Sequence, residues 1–68
     1  MQTSARNQLK GTVTGVSLGA VMAEVTVDVN GTQVVAAITK ESAERLGLAA
    51  GKQVSAIIKA TDVMIGVD

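Results

Sequence analysis

The chain has 68 residues and contains no Cys, no His and no aromatic side chain, which excludes a disulfide framework, thiolate or imidazole metal ligands, and histidine-based acid–base chemistry. Six basic residues balance six acidic ones, so no bulk field draws in nucleic acid or an anionic membrane. The apolar mass is Val, Ala, Ile and Leu with three Met, too slender for one copy of so short a chain to bury a full core, and the missing burial is expected at contacts between copies.

Residues Leu9 to Val16, rich in Thr and Val, read as a first strand. Gly11 and Gly15 weaken it locally and point to strong coiling or a bulge. Ser17-Leu18-Gly19-Ala20 is the turn into a second strand. There Val21, Ala23, Val25, Val27 and Val29 alternate with Met22, Glu24, Thr26 and Asp28, the period of a half-buried strand. Asn30-Gly31 suits the positive dihedrals of a type I′ hairpin turn. The partner strand runs from Thr32 to about Thr39, with Val34, Ala36 and Ile38 on one face. Val35 and Ala37 on the other face predict that this strand is covered on both sides. Lys40 to Leu46 has helical composition, with Glu41 and Glu44 in its first turns and Gly47 placed to cap its end. After the turn Ala49-Ala50-Gly51 come a fourth strand, Val54 to Lys59, and a fifth, Asp62 to Val67. The expected architecture is all-β: one domain over residues 1–68, a five-stranded OB-fold-like barrel with one short helix between strands 3 and 4.

The longest apolar runs are far too short to span a membrane. The first six residues lack the apolar stretch of a secretory signal. The expected location is the cytoplasm, with no membrane partner.

Composition also bounds the ligand. Single-stranded nucleic acid, the familiar partner of this barrel, needs aromatic platforms and a basic groove, and the chain supplies neither. A Ser nucleophile has no His to activate it, and no motif supports a Ser–Lys pair. The carboxylates Glu24, Asp28, Glu41, Glu44, Asp62 and Asp68 show no calcium-loop spacing. Anion chemistry remains. A tetrahedral dianion needs converging hydrogen-bond donors and positive charge, which Arg, Lys, hydroxyls and main-chain N–H groups provide. Ser4-Ala5-Arg6-Asn7 puts a hydroxyl and a guanidinium two residues apart, on one side if the segment is extended. Ser42 lies near the start of the predicted helix, and Lys59 ends the fourth strand. By composition alone the anion reading is weak: Arg6 and Lys59 read more readily as ordinary surface charges, and Ser42 at least as readily as a helix-start residue without a ligand.

The run Ser4-Ala5-Arg6-Asn7-Gln8-Leu9-Lys10-Gly11 resembles the opening signature of the molbindins, small molybdate-binding proteins also called molybdenum-pterin-binding proteins. The later segments Leu46-Gly47-Leu48, Gly51-Lys52 and Ile57-Ile58-Lys59-Ala60-Thr61-Asp62-Val63-Met64-Ile65 follow the same pattern, so the resemblance covers essentially the whole chain. It implies a free-standing OB-like domain assembled as a hexamer, a trimer of dimers, with molybdate or tungstate held between subunits. The main oxyanion site it implies is lined by Ser4, Ala5, Arg6, Ser42 and Lys59, and by the main-chain N–H of Ala60. Some relatives carry Ser where Ala60 stands, and that side-chain contact is absent here. A second oxyanion site is implied, by position more than by motif, at Gly19, Ala20 and Val21.

The expected function is therefore oxyanion binding for intracellular molybdenum storage or homeostasis, without catalysis, direct metal ligation or an organic cofactor. The alternative is an interaction module that delivers molybdate to a partner protein or regulates it. A bound molybdopterin is a third reading, against which stands the lack of any aromatic ring to stack on a pterin.

Overall fold

In this computed structural model, which describes residues 1–68, four strands and one short helix follow one another. They are β1 (Asn7–Leu18), β2 (Met22–Val29), β3 (Thr32–Thr39), α1 (Lys40–Arg45) and β4 (Gln53–Ile58), and a 3-10 turn spans Ala60–Asp62. The strands form one antiparallel sheet in the order β3-β2-β1-β4. The all-β class, with a helix between the third and fourth strands, is as the alternation predicts. No helix is long and apolar enough to cross a membrane.

β1 organises the sheet because it serves two neighbours. Its first half pairs with β4, from Asn7 opposite Ile58 to Thr12 opposite Gln53. Its second half pairs with β2, from Thr12 opposite Asp28 to Leu18 opposite Ala23. Between Val13 and Gly15 the register slips and Thr14 is left unpaired, a bulge that bends the strand and sharpens its twist. The Thr14 hydroxyl donates instead to the Thr26 carbonyl at 3.3 Å. Gly11 is buried against β2: a Cβ there would overlap the Asp28 carbonyl oxygen and lie 2.7 Å from Val27 Cγ1. Of the coiling or bulge expected from Gly11 and Gly15, the bulge is present.

The hairpin from β2 to β3 closes through Asn30 (φ 50°) and Gly31 (φ 89°), both left-handed as a type I′ turn requires. Its register runs unbroken from Val29 opposite Thr32 to Met22 opposite Thr39. At the start of α1, Thr39 is extended and its side chain accepts the Ser42 amide. At its end the Gly47 N–H reaches the Glu44 carbonyl at 3.0 Å and the Leu48 N–H reaches the Ala43 carbonyl at 3.1 Å, the two bonds of a Schellman cap. Gly47 takes φ 64° to allow this. Lys52 Nζ donates to the Leu46 carbonyl at 2.5 Å, where a cation also suits the helix dipole.

The core is small. Val13, Val25 and Val27 form its centre, with Val16, Val29, Ala36, Ile38, Leu48 and Val54 packed around them. Only six of the 68 residues are buried, so a single copy leaves its apolar surface largely open, as its composition predicts.

Three expectations need correction. The segment Asp62 to Val67 is not a strand: it enters through the 3-10 turn and then runs unpaired, with Met64, Ile65 and Val67 87–94% exposed. The sheet consequently has four strands with free edges at β3 and β4 rather than the five of a closed barrel. Its sequence has strand propensity, but pairing needs an edge within reach, and propensity does not provide one. The far face of β3 is not covered either, since Val35 is 58% exposed and Ala37 is exposed. Finally, Ser17 and Leu18 belong to β1, and the turn is confined to Gly19–Val21.

Candidate functional site

The predicted site residues fall into two groups, set by the pairing of β1. Asn7 and Ile58 are the last paired residues of the β1–β4 ladder. Arg6 and Lys59 are the next residues along the two chains, followed by Ala5 and Ala60, so all four are neighbours at the open end of that ladder. Asn7 reinforces the end with its side chain, whose Nδ2 donates to the Ile58 carbonyl at 3.2 Å. The approach to β1 is bent at Ser4 and Arg6 rather than regularly extended. It is shaped by the Ala5 N–H donating to Thr3 Oγ1 at 3.2 Å and by Gln8 Nε2 donating to the Ala5 carbonyl at 3.4 Å. Ser4, Arg6, Lys59 and Ala60 are exposed and Ala5 is half-buried.

The turn after Lys59 arranges its donors. Asp62 N–H bonds to the Lys59 carbonyl at 2.8 Å and Val63 N–H to the Ala60 carbonyl at 3.3 Å. Ala60 opens the turn, so its own N–H has no partner inside it. Two cations, a hydroxyl and an amide thus gather at one end of the sheet, a donor set that suits an anion.

Ser42 belongs to the other end. Thr39, which precedes α1, pairs with Met22, and Leu18 at the end of β1 pairs with Ala23. Ser42 is therefore tied to the C-terminal end of β1, while Arg6 and Lys59 sit at its N-terminal end. The predicted residues of the main site thus divide between the two ends of β1.

The Ser42 environment is specific. Thr39 Oγ1 accepts the Ser42 N–H at 3.1 Å and donates to Ser42 Oγ at 2.8 Å. With Oγ accepting from Thr39, the Ser42 hydroxyl hydrogen is not used in that bond and can donate elsewhere. The turn Gly19–Val21, predicted as a second site, adjoins this end. Gly19 N–H bonds to the Met22 carbonyl at 2.8 Å and Lys40 N–H to the Val21 carbonyl at 2.7 Å. All three turn residues are exposed, and no side chain among them can donate to an anion.

The sequence reading does not pick out Asn7 as a clamp on the ladder or Thr39 as the residue orienting Ser42. For Thr39 a signal was present: Thr-x-x-Ser ahead of a helical segment is the spacing of a side-chain cap. For Asn7 there was none, because its partner is 51 residues away. Lys10, opposite Ser55 in the same ladder, lies four residues along β1 from Arg6. No group of three or more carboxylates converges to hold a metal ion.

Residues 3–65 match the model of the TOBE domain family. The chain is 46% identical over 66 residues to molybdenum-pterin-binding protein 1 of Clostridium pasteurianum, covering 96% of this chain and 97% of that one. Its fold superposes on a molybdate-binding protein from Sporomusa ovata with a TM-score of 0.94 and 42% identity, covering 98% of this chain and 100% of that one. It superposes equally on the cytoplasmic molybdate-binding protein ModG, crystallised with molybdate bound, with a TM-score of 0.94 and 46% identity, and there it covers 100% of this chain and 49% of the other.

Proposed function

The chain belongs to the TOBE domain family, among its molbindin members, and on that premise we propose that it binds molybdate, with tungstate as an analogue, at sites shared between copies of itself. The observation that carries this reading is the division of the donor set. Ser4, Arg6, Lys59 and the Ala60 amide stand at one end of β1, and the Ser42 hydroxyl, which accepts from Thr39, belongs to the other. A second copy placed end to end against the first brings its Ser42 to the Arg6–Lys59 pair, and the cage is then complete. The scant core of the single copy supports assembly independently. A hexamer built as a trimer of dimers is the assembly we favour.

In such a cage the protein touches oxygens and never molybdenum. Two cations offset the dianion's desolvation, and the hydroxyls and amide fix its orientation. The names of relatives mention a pterin, but a chain without aromatic rings has nothing to stack on one, which favours the oxyanion. We read the role as a store or buffer of molybdate in the cytoplasm, without catalysis.

Native mass spectrometry with and without molybdate, followed by competition calorimetry, tests this. Molybdate should bind to an oligomer in a fixed ratio, tungstate should displace it, and sulfate should compete poorly. Sulfate is smaller, and donors spaced for the larger ion leave its hydrogen bonds long and weak. Binding to a monomer, or sulfate competing on equal terms, would remove the shared cage.

A further inference from the structure

A strand ladder is weakest at its last rung, because no further pair holds it and the ends fray. Asn7 and Ile58 form that rung between β1 and β4. Here a side chain adds a bond to it, from Asn7 Nδ2 to the Ile58 carbonyl at 3.2 Å. The bond is half-buried and joins positions 51 apart in the chain, so water competes for it less than for an exposed contact. The Ile58 carbonyl and the Lys59 N–H belong to one planar peptide unit. Holding the carbonyl therefore fixes the direction in which Lys59 leaves the strand. The next unit is pinned as well, since the Asp62 N–H donates to the Lys59 carbonyl at 2.8 Å. That unit carries the Ala60 N–H on its opposite edge. No side chain caps the 3-10 turn, so the Asn7 amide is the side-chain anchor of this segment. On its own strand Asn7 directly follows Arg6.

We propose that Asn7 is a positioning residue that sets the spacing between Arg6 and the Lys59–Ala60 donors, and through it the size of oxyanion the site prefers. The proposal rests on the molybdate reading above, and it does not require Asn7 to touch the ion. Donors held at a fixed spacing leave long, weak hydrogen bonds to an ion too small to reach them all. Donors free to follow an ion inward lose that discrimination, and the larger ion then bears the cost of ordering them. One cross-strand amide thus separates a cage fitted to a large dianion from a generic cationic patch.

The test titrates the full chain with molybdate and with sulfate, comparing the parent with Asn7→Leu. Leu is close to Asn in size and carries no donor. Asn7→Ala removes the same donor without the branched apolar side chain, and so guards against a misfit of Leu. Molybdate affinity should fall roughly tenfold, as when the outer partner of a ligand is removed, while sulfate changes by less than about twofold. A role confined to folding or assembly would lower the occupancy of both ions alike and leave their ratio as in the parent. Backbone amide relaxation in the ion-free protein gives a second readout. Order parameters at Lys59 and Ala60 should fall in both variants, with the middle of β1 and β4 unchanged. A parent-like ratio of the two affinities would overturn the positioning role, and so would unchanged order parameters at Lys59 and Ala60. Loss of the fold in both variants would make Asn7 structural and overturn it too. A parent that binds no molybdate would overturn the reading beneath the proposal, and the preference with it.

Discussion

Removing either cation at the end of the β1–β4 ladder should have effects of opposite sign in the empty and the loaded protein. Arg6 and Lys59 directly follow the last paired residues, Asn7 and Ile58, and both are exposed. Like charges about 4–8 Å apart repel by about 0.5–1 kcal/mol at the dielectric of water and by about 2–4 kcal/mol at an effective value of about 20. Exposure favours the lower figure. In the empty protein, Arg6→Ala or Lys59→Ala is therefore expected to be neutral or to stabilise by at most about 0.5 kcal/mol. With a dianion between the two, each truncation removes a charge-assisted contact from a partly desolvated ion. That loss should cost on the order of 2–5 kcal/mol of affinity, roughly thirtyfold or more. Urea denaturation without ligand, molybdate calorimetry and light scattering on each variant measure the two signs and the assembly. Variants that stay assembled and bind molybdate as the parent does would refute the site. A loss of more than about 1 kcal/mol from the empty protein would instead make the cations structural.

The remaining expectations separate binding from scaffolding. Ser42→Ala removes a neutral hydroxyl and should weaken molybdate by about 0.5–1.5 kcal/mol in calorimetry. Thr39→Ala should cost about 1 kcal/mol of stability through the lost cap, and should weaken binding as well because Ser42 Oγ loses the partner that orients it. Lys52→Ala should lower the denaturation midpoint by the equivalent of about 0.5–1 kcal/mol, since Nζ holds the Leu46 carbonyl at the end of α1, with molybdate affinity unchanged. Lys10→Ala should change neither. Gly11→Ala should destabilise by about 2 kcal/mol or more in urea titration, because the added Cβ meets the Asp28 carbonyl, main chain that cannot step aside.

The residues belonging to the predicted site were legible because the opening signature and the segment around Lys59 are contiguous in sequence. That the two segments end side by side was not legible. Arg6 and Lys59 are 53 positions apart, and only the register of Asn7 with Ile58 makes them neighbours. The same register places Ser42 beside the other end of β1. The role of Thr39 follows from a local hydrogen bond and could have been read from spacing alone, while that of Asn7 depends on a carbonyl brought from β4.

Local rules determined most of the architecture. The alternation over Val21–Val29, the Asn30-Gly31 turn and the Gly47 cap act over a few residues, and each produced the element expected of it. Composition alone determined that one copy would be under-buried, because a chain of small aliphatics has little area to hide. Only the tertiary structure decided the fate of the last strand and the division of the site. Val63–Val67 has the pattern of a strand, but a strand exists only where an edge accepts its hydrogen bonds. Within this copy it follows the turn at Ala60–Asp62 without pairing to either free edge. Side-chain pattern specifies which face is apolar; which edge is within reach depends on where the rest of the chain has already gone.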